Sequence, residues 1–197
     1  VTNPIDGRLY ILLDDDLLHL DDQASKQIID IELGVQGRSL AIDAEGNRLL
    51  IGTADGKVLS RSLVDSSAQT NLMANSTTPT IRAVAIDDYG TLWATTDCML
   101  HHMTVSQSSW TGTQFCTNDV LEVSTDLLIF SDKIYVATAE SGMRALDYNT
   151  TSDSTGISVS IGTNTHWTTG NYLTSNSITQ LEKLNSNLLI ATIGGGV

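Results

Sequence analysis

Hydrophobic and polar residues alternate in short runs along the whole chain. In "QIIDIEL", Ile29, Ile31 and Leu33 alternate with Asp30 and Glu32. A period of two places one set of side chains on each face of a β-strand, so one face is buried and the other is wet. Short polar stretches such as "DAEG" at 43–46 and "DDYG" at 87–90 separate such runs. The pattern predicts an all-β chain of short antiparallel strands.

One hydrophobic strand core recurs at a nearly regular spacing. Its copies end at Leu13, Thr53, Thr96, Thr138 and Thr192, which gives spacings of 40, 43, 42 and 54 residues. Another strand precedes each later copy, and a turn with further strands follows. Four strands in about 40 to 45 residues are typical of a β-propeller blade. A single blade cannot bury both of its faces, so neighbouring blades must stack on it.

The repeat predicts one β-propeller domain over 1–197, with approximate blades at 1–36, 37–80, 81–119 and 120–177 and a partial blade at 178–197. The first copy lacks its first strand, and the last copy stops in or just after its second strand. We therefore expect the chain to be part of a larger ring. A ring of about four blades, closed by strand exchange, is the alternative.

Turn and packing residues recur with the strands. In "DAEG" and "DDYG", Asp can bond its own turn and Gly can take the positive φ that follows. Small residues are expected wherever adjacent blades approach closely, and the second strands carry them at Gly52, Ala94, Ala137 and Ala191.

The charge of the chain excludes some partners. Ten Lys and Arg residues stand against 23 Asp and Glu residues, which gives a formal net charge of −13. Nucleic acid and anionic lipid would repel such a surface, so we expect no nucleic-acid partner. No hydrophobic run is long enough to cross a bilayer, so we expect no membrane insertion in this segment. Any signal or anchor is expected to lie outside it.

Two cysteines indicate where the protein works. Cys98 and Cys116 are 18 residues apart, and the intervening sequence reads as strand, polar turn, strand. Antiparallel folding would bring their sulfur atoms together, which favours a disulfide and an extracytoplasmic protein, either periplasmic, cell-surface or secreted. Two buried free thiols in a cytosolic protein are the alternative.

Two copies resemble a known repeat. "SLAIDAEGNRLLIGTADGKV" and "IRAVAIDDYGTLWATTDCML" resemble the two-component-regulator propeller repeat, whose consensus is approximately "I-x-x-I-x-x-D-x-x-G-x-L-W-I-G-T-x-x-G-L". The third copy lacks the Asp-x-x-Gly turn, and the fourth has Asn where Gly would lie. The resemblance implies an extracytoplasmic propeller, often the sensor part of a membrane receptor, and it transfers no catalytic residue.

The long last spacing gives the candidate ligand site. The stretch at 151–176 is expected to be an insertion that connects the last strand of one blade to the first strand of the next. His166, Trp167, Asn171 and Tyr172 combine aromatic surface with polar edges, as recognition of a carbohydrate or peptide requires. An ordered surface loop whose Trp packs on its own blade is the alternative.

We predict no metal site and no cofactor. Asp14 and Asp16 belong to the densest acidic cluster, but no "DxDxDG" loop is present, so they are only weak calcium candidates. His101 and His102 are adjacent on a predicted strand and therefore point to opposite faces. No catalytic motif occurs in the chain.

These observations predict a non-enzymatic module that senses a ligand or binds a protein. Its partner would be a small molecule, a carbohydrate or a protein, and its open edges would favour self-association or completion of the ring by a longer chain. A propeller enzyme of the lyase or hydrolase type, similar to streptogramin lyases in its repeats, is the first alternative. A structural cell-surface or adhesion module is the second.

Overall fold

The computed structural model describes residues 1–13, 17–22, 27–64, 69–73, 79–104, 107, 109–116, 122–153 and 156–195. These residues form five antiparallel sheets, and each sheet is built from consecutive strands. Within the described ranges the chain forms no helix, and hence none that could cross a membrane.

Sheets 2, 3 and 4 have four strands each, whereas sheets 1 and 5 have three and two strands in the described residues. Sheet 1 contains β1 (Leu9–Leu12), β2 (Leu17–Asp22) and β3 (Gln27–Glu32). Sheet 2 contains β4 (Gly37–Asp43), β5 (Arg48–Thr53), β6 (Val58–Ser62) and β7 (Gln69–Met73). Sheet 3 contains β8 (Ala83–Ile86), β9 (Leu92–Thr95), β10 (Met99–Met103) and β11 (Thr111–Gln114). Sheet 4 contains β12 (Ser124–Phe130), β13 (Lys133–Thr138), β14 (Met143–Asp153) and β15 (Gly156–Trp167), and sheet 5 contains β16 (Ile178–Leu184) and β17 (Asn187–Thr192).

Successive sheets pack face to face, and their first strands lie side by side. Strand β4 contacts β8, β8 contacts β12, and β12 contacts β16. One hydrophobic core fills each of the four gaps between neighbouring sheets. Within β5, Leu49 and Ile51 pack towards sheet 1 while Leu50 packs towards sheet 3. This arrangement confirms the prediction of an all-β chain made of propeller blades. Among the described residues, no strand of sheet 5 is hydrogen-bonded to a strand of sheet 1.

The second strands show the expected close approach between sheets, with one correction. A Cβ atom on Gly52 would lie 2.6 Å from the Cγ2 atom of Ile81, which leads into sheet 3. Ala94 was expected at the equivalent position, but it packs back towards sheet 2. Thr95 takes that position and accepts a hydrogen bond from Ser124 Oγ at 2.9 Å. The alternation of a strand decides this, because a shift of one residue reverses the face.

The Asp residues of the repeat organise the first hairpins. Asp43 Oδ1 accepts the amide of Gly46 at 2.8 Å, and a Cβ atom on Gly46 would lie 2.3 Å from Asp43 Oδ2. Asp87 Oδ1 accepts the amide of Thr91 at 2.8 Å. Gly90 takes the positive φ as expected, but in the first copy Asn47 takes it instead of Gly46. Asn tolerates this conformation because its side chain is short and polar.

The two ends of the sheets can be named from their turns. We call the end with the first hairpins, such as the turn at 43–47, the hairpin end. The other end carries the turns that follow the recurring threonines, and we call it the threonine end. Thr53 Oγ1 accepts the amide of Lys57 at 2.9 Å, and Thr138 Oγ1 donates to the carbonyl of Gly142 at 2.7 Å. The hydroxyl group of the recurring Thr therefore stabilises the turn that follows it.

Two contacts fix sheet 3 and its connection to sheet 4. Cys98 and Cys116 form a disulfide with Cα atoms 5.3 Å apart, as their spacing led us to expect. Glu122, just before β12, forms a buried two-point ion pair with Arg144 of β14, and the Arg144 Nε–Glu122 Oε2 distance is 2.9 Å. Their side chains are only 1% and 7% exposed.

Candidate functional site

The long last spacing does not form the connecting loop that the sequence predicts. Most of 151–176 is strand: β14 runs to Asp153 and β15 runs from Gly156 to Trp167. Strand β13 pairs with β14 only as far as Asp147, so 148–153 and 156–161 pair with each other beyond the hairpin end of β13. We call these two segments the arm. Only 168–177 connects sheet 4 to sheet 5, so the expectation of an insertion between the blades is wrong.

His166 and Trp167 lie at the threonine end of sheet 4 and face opposite neighbours. They are consecutive in β15, and their cross-strand partners are Arg144 and Met143. Because side chains alternate along a strand, one of them faces each side of the sheet. His166 Nε2 lies 2.5 Å from the carbonyl oxygen of Ser141. Trp167 packs against the core between sheets 4 and 5.

The aromatic residues do come together. The ring centroids of Trp167 and Tyr172 are 5.5 Å apart, and those of Trp167 and Tyr135 are 6.1 Å apart. Tyr135 belongs to the buried core, whereas Tyr172 is 72% exposed. Trp167 therefore packs on its own blade, and Tyr172 is the ring that remains open to a partner.

Asn171 shapes the connection rather than facing a ligand. Its Oδ1 accepts the amide of Thr168 at 2.6 Å, and its Nδ2 donates to the carbonyl of His166 at 2.9 Å. The structure thus joins Trp167 to Tyr172 and separates both from the imidazole of His166. Ligand binding by these four residues stays a prediction.

A cavity of about 210 Å³ lies at the opposite, hairpin end, where sheets 3, 4 and 5 meet. The first hairpin of sheet 3 contributes Asp87, Asp88 and Tyr89 to its wall. Other lining residues come from the first hairpin of sheet 4, from β14 and from β16: Ile129, Phe130, Ser131, Asp132, Tyr148 and Lys183. Residues distant in sequence build this wall, so the Asp-x-x-Gly turn is its one local signal in the linear chain.

Tyr148 anchors the cavity to the core. It packs edge-on against Trp93, with ring centroids 5.5 Å apart. Trp93 is completely buried, and its Nε1 donates to Asp87 Oδ2 at 3.1 Å. Asp87 therefore holds both its own turn and the indole, and it is only 7% exposed.

The cavity has a negative potential. Burial, followed by the charges of Asp87, Asp132 and Asp88, raises the pKa of Tyr148 to about 12. The opposing positive charge is the ammonium of Lys183, which lies 5.2 Å from the centroid of the Phe130 ring. A second cavity of about 350 Å³ shares Asp87 and Asp88 and extends to the first hairpin of sheet 2. The first hairpins of sheets 2, 3 and 4 therefore lie on the same side of the molecule.

The weak calcium candidates from the sequence, Asp14 and Asp16, lie outside the described residues. Among the residues that the structure describes, no group of three His, Cys, Asp or Glu side chains is placed to hold a metal ion.

Two adjacent histidines, the half-buried His101 and the buried His102, lie in β10 of sheet 3. His102 stacks near Trp93 with ring centroids 5.2 Å apart and is almost completely buried. Burial lowers the pKa of His102, although Asp87 acts in the opposite direction. Burial and the neighbouring His102 lower the pKa of His101.

Comparison with known proteins supports the fold. No family model and no curated protein matches the sequence. The structure is similar to Raptor from Chaetomium thermophilum, with a TM-score of 0.72, 14% identity, and coverage of 100% of this chain and 18% of that chain. It is also similar to the extracellular domain of a hybrid two component system, BT3049, from B. thetaiotaomicron, with a TM-score of 0.68, 17% identity, and coverage of 100% and 25%.

A third solved structure, a nidogen/laminin complex, is similar with a TM-score of 0.61, 11% identity, and coverage of 73% of this chain and 57% of that chain. The chain thus spans less than two thirds of the length of each of these structures. At such identities the similarity shows the fold and no activity.

Proposed function

We propose that this chain is a non-enzymatic, extracytoplasmic propeller module that senses a ligand or binds a partner through the cavity at its hairpin end. The observation that carries the proposal is the cavity itself. Three successive sheets supply its wall, and polar groups converge there beside aromatic rings, as in ligand sites of folded proteins. Binding there would connect three blades at once.

The extracytoplasmic location is supported by two independent findings. The protein contains the Cys98–Cys116 disulfide, and disulfides form and persist in oxidising compartments. Two of the similar solved structures are, by their descriptions, an extracellular domain and a nidogen/laminin complex. The resemblance of the repeats to two-component-regulator propellers agrees with a sensor role.

The experiment maps binding onto the chain. Backbone amide NMR shifts are recorded while a panel of amines, neutral oligosaccharides and short peptides is titrated. We expect a member of the panel to shift amides around Tyr89 and Asp132, and Asp88→Arg to abolish the effect because it fills and inverts the charge of the cavity. Glu140→Arg makes the same charge change at the threonine end and should leave binding intact.

Two results would contradict the proposal. Shifts confined to the Trp167–Tyr172 pair would move the site to the threonine end. Turnover of a panel member by the purified chain would replace the sensor function with an enzymatic one.

A further inference from the structure

We infer that the cavity at the hairpin end is a subsite for an organic ammonium group, and that Lys183 is its resident occupant, which the ligand's own ammonium replaces. The inference rests on the proposed function and names the class of ligand.

The carboxylates of the cavity lack the basic partners that other carboxylates of the protein have. Asp43 pairs with Arg48 at 2.7 Å, and Asp97 pairs with Arg82 at 2.8 Å. Within the described part of the chain, neither Asp88 nor Asp132 forms an ion pair. Both residues are exposed and line the cavity, so their charges attract a cationic ligand at short range.

Asp87 leaves the negative charge of the wall uncompensated. In the part of the chain that the structure describes, its carboxylate accepts hydrogen bonds from neutral groups, namely the amides of Tyr89 and Thr91 and the indole of Trp93. Among the described residues that line the wall, Lys183 is the one cation, against three carboxylates. The net charge of these groups is therefore negative, and a further positive charge would be attracted to the wall.

The aromatic rings favour an organic cation over a hydrated metal ion. Tyr89, Phe130 and Tyr148 all line the cavity. The negative face of an aromatic ring attracts an ammonium within about 6 Å of its centroid.

Lys183 already demonstrates the interaction. Its Nζ lies 5.2 Å from the centroid of Phe130, and it forms no salt bridge with a described residue. Lys183 is in β16, close to its exposed hairpin, so its side chain can swing away without disturbing the core. An ammonium supplied by a ligand can then take the same position over the ring.

The size of the cavity limits what enters it. A volume of about 210 Å³ is smaller than a typical site for a drug-sized ligand, which is roughly 300–1,000 Å³. The cavity therefore accepts an alkylammonium group, from a free amine or from a lysine side chain, rather than a whole oligosaccharide. Both sources present the same chemistry to the wall.

The test is chemical rescue of Lys183→Ala by n-butylammonium, which has the length and charge of a whole lysine side chain. NMR titration follows the amides of Tyr89 and Asp132. We expect butylammonium to bind Lys183→Ala about fivefold more tightly than the original chain, because the resident ammonium no longer competes. Lys57→Ala, which removes a lysine at the threonine end, should leave the affinity unchanged.

Neutral and anionic isosteres provide the ligand controls. Butanol and butyrate should bind neither variant at these amides. Asp132→Asn, introduced together with Lys183→Ala, should weaken butylammonium binding again, and Asn tolerates the positive φ of this position. Glu140→Gln in the same background is the matched charge control and should have no effect.

A lysine tripeptide with blocked ends distinguishes the two sources. Tighter binding of the tripeptide than of butylammonium would indicate a protein partner, and equal binding would indicate a free amine. Equal affinities for butanol and butylammonium, or equal effects of Lys183→Ala and Lys57→Ala, would overturn the ammonium subsite. If neutral saccharides still shifted the same amides, the proposed function would survive that result; if no member of the panel did, both would fail.

Discussion

The buried ion pair between Glu122 and Arg144 predicts a large and strongly coupled effect on stability. Both side chains are almost completely buried, so removal of one leaves the other as an uncompensated charge. Breaking such a pair costs about 3–5 kcal/mol, whereas replacing both partners by apolar residues is often neutral. We expect Glu122→Gln and Arg144→Met each to lower the free energy of unfolding by about 3 kcal/mol or more. The double variant Glu122→Gln with Arg144→Met should lose clearly less than the sum of the two single losses, because the second substitution removes the charge that the first leaves uncompensated.

Urea unfolding followed by tryptophan fluorescence measures the effect. At a slope of about 2 kcal/mol per molar urea, a loss of 3–5 kcal/mol moves the midpoint down by roughly 1.5–2.5 M. The control is the pair of Asp55 and Lys57, whose side chains are 41% and 39% exposed. An exposed pair contributes about 0–1 kcal/mol, so Lys57→Met should move the midpoint by less than about 0.5 M.

Two outcomes would refute this reasoning. Midpoint shifts for Glu122→Gln and Arg144→Met no larger than that for Lys57→Met would mean that water reaches the pair. A double variant that loses the full sum of the two single losses would mean that the residues act independently and that the pair is not what holds them in place.

Three further predictions follow from other contacts. Replacing Cys98 and Cys116 together by Ser should lower the free energy of unfolding by about 3 kcal/mol, since the bridge closes a loop of 18 residues; a loss below 1 kcal/mol by urea unfolding would contradict this. Stability should fall as the pH drops from 7 to 5.5. Burial lowers the pKa of His101 and His102 in the folded chain, so the unfolded chain binds more protons in this range. The free energy of unfolding should therefore change by up to about 1.4 kcal/mol per pH unit for each histidine. His102→Gln should flatten that slope in unfolding curves measured across this range. The outer edge of β17 is unpaired in the described structure, so the 197-residue chain should self-associate, and a light-scattering mass of 21.1 kDa at every concentration would count against this.

Hydrophobic alternation predicted the blades because every blade must bury its two faces against neighbouring blades. Leu49 and Ile51 must enter one gap between sheets and Leu50 the next, so the pattern specifies strand, register and neighbour together. Asp43 and Asp87 were also identifiable, since each bonds groups within a few residues of itself. Turns that are held by bonds between residues close in sequence could therefore be predicted from the sequence.

The cavity could not be predicted, because its geometry depends on contacts between distant segments. Asp88 and Asp132 belong to different sheets, and nothing in the linear chain indicates that Lys183 lies beside Phe130. The irregular last spacing did mark an unusual blade. The alternation in "GISVSIG" at 156–162 predicted a fourth strand, and β15 confirms it, with Val159 and Ile161 packed on the core between sheets 3 and 4. The Ser and Thr residues on either side of it suggested a connecting loop, whereas most of them extend β14 and β15.

The arm offers a test of what the irregular spacing contributes. Replacing 150–159 by Asn-Gly keeps the pair of Tyr148 and Ile161 and gives a two-residue hairpin. The main packing contact that this replacement removes is that of Val159, which is only half-buried against the core between sheets 3 and 4. We expect the free energy of unfolding to fall by about 1 kcal/mol, less than the value for complete burial of a Val side chain. Urea unfolding and butylammonium titration should show that fold and cavity both persist.

Tyr148→Ala in the full-length arm is the contrasting variant. It removes the ring that packs on Trp93 and lines the cavity, so we expect a loss of about 2–3 kcal/mol, somewhat below that for a fully buried aromatic residue. If the shortened arm were instead the more damaging change, the arm would be a structural part of the blade. If the order is as expected, the arm matters mainly through the position it gives to Tyr148, and the rest of it can be shortened at only a small cost in stability.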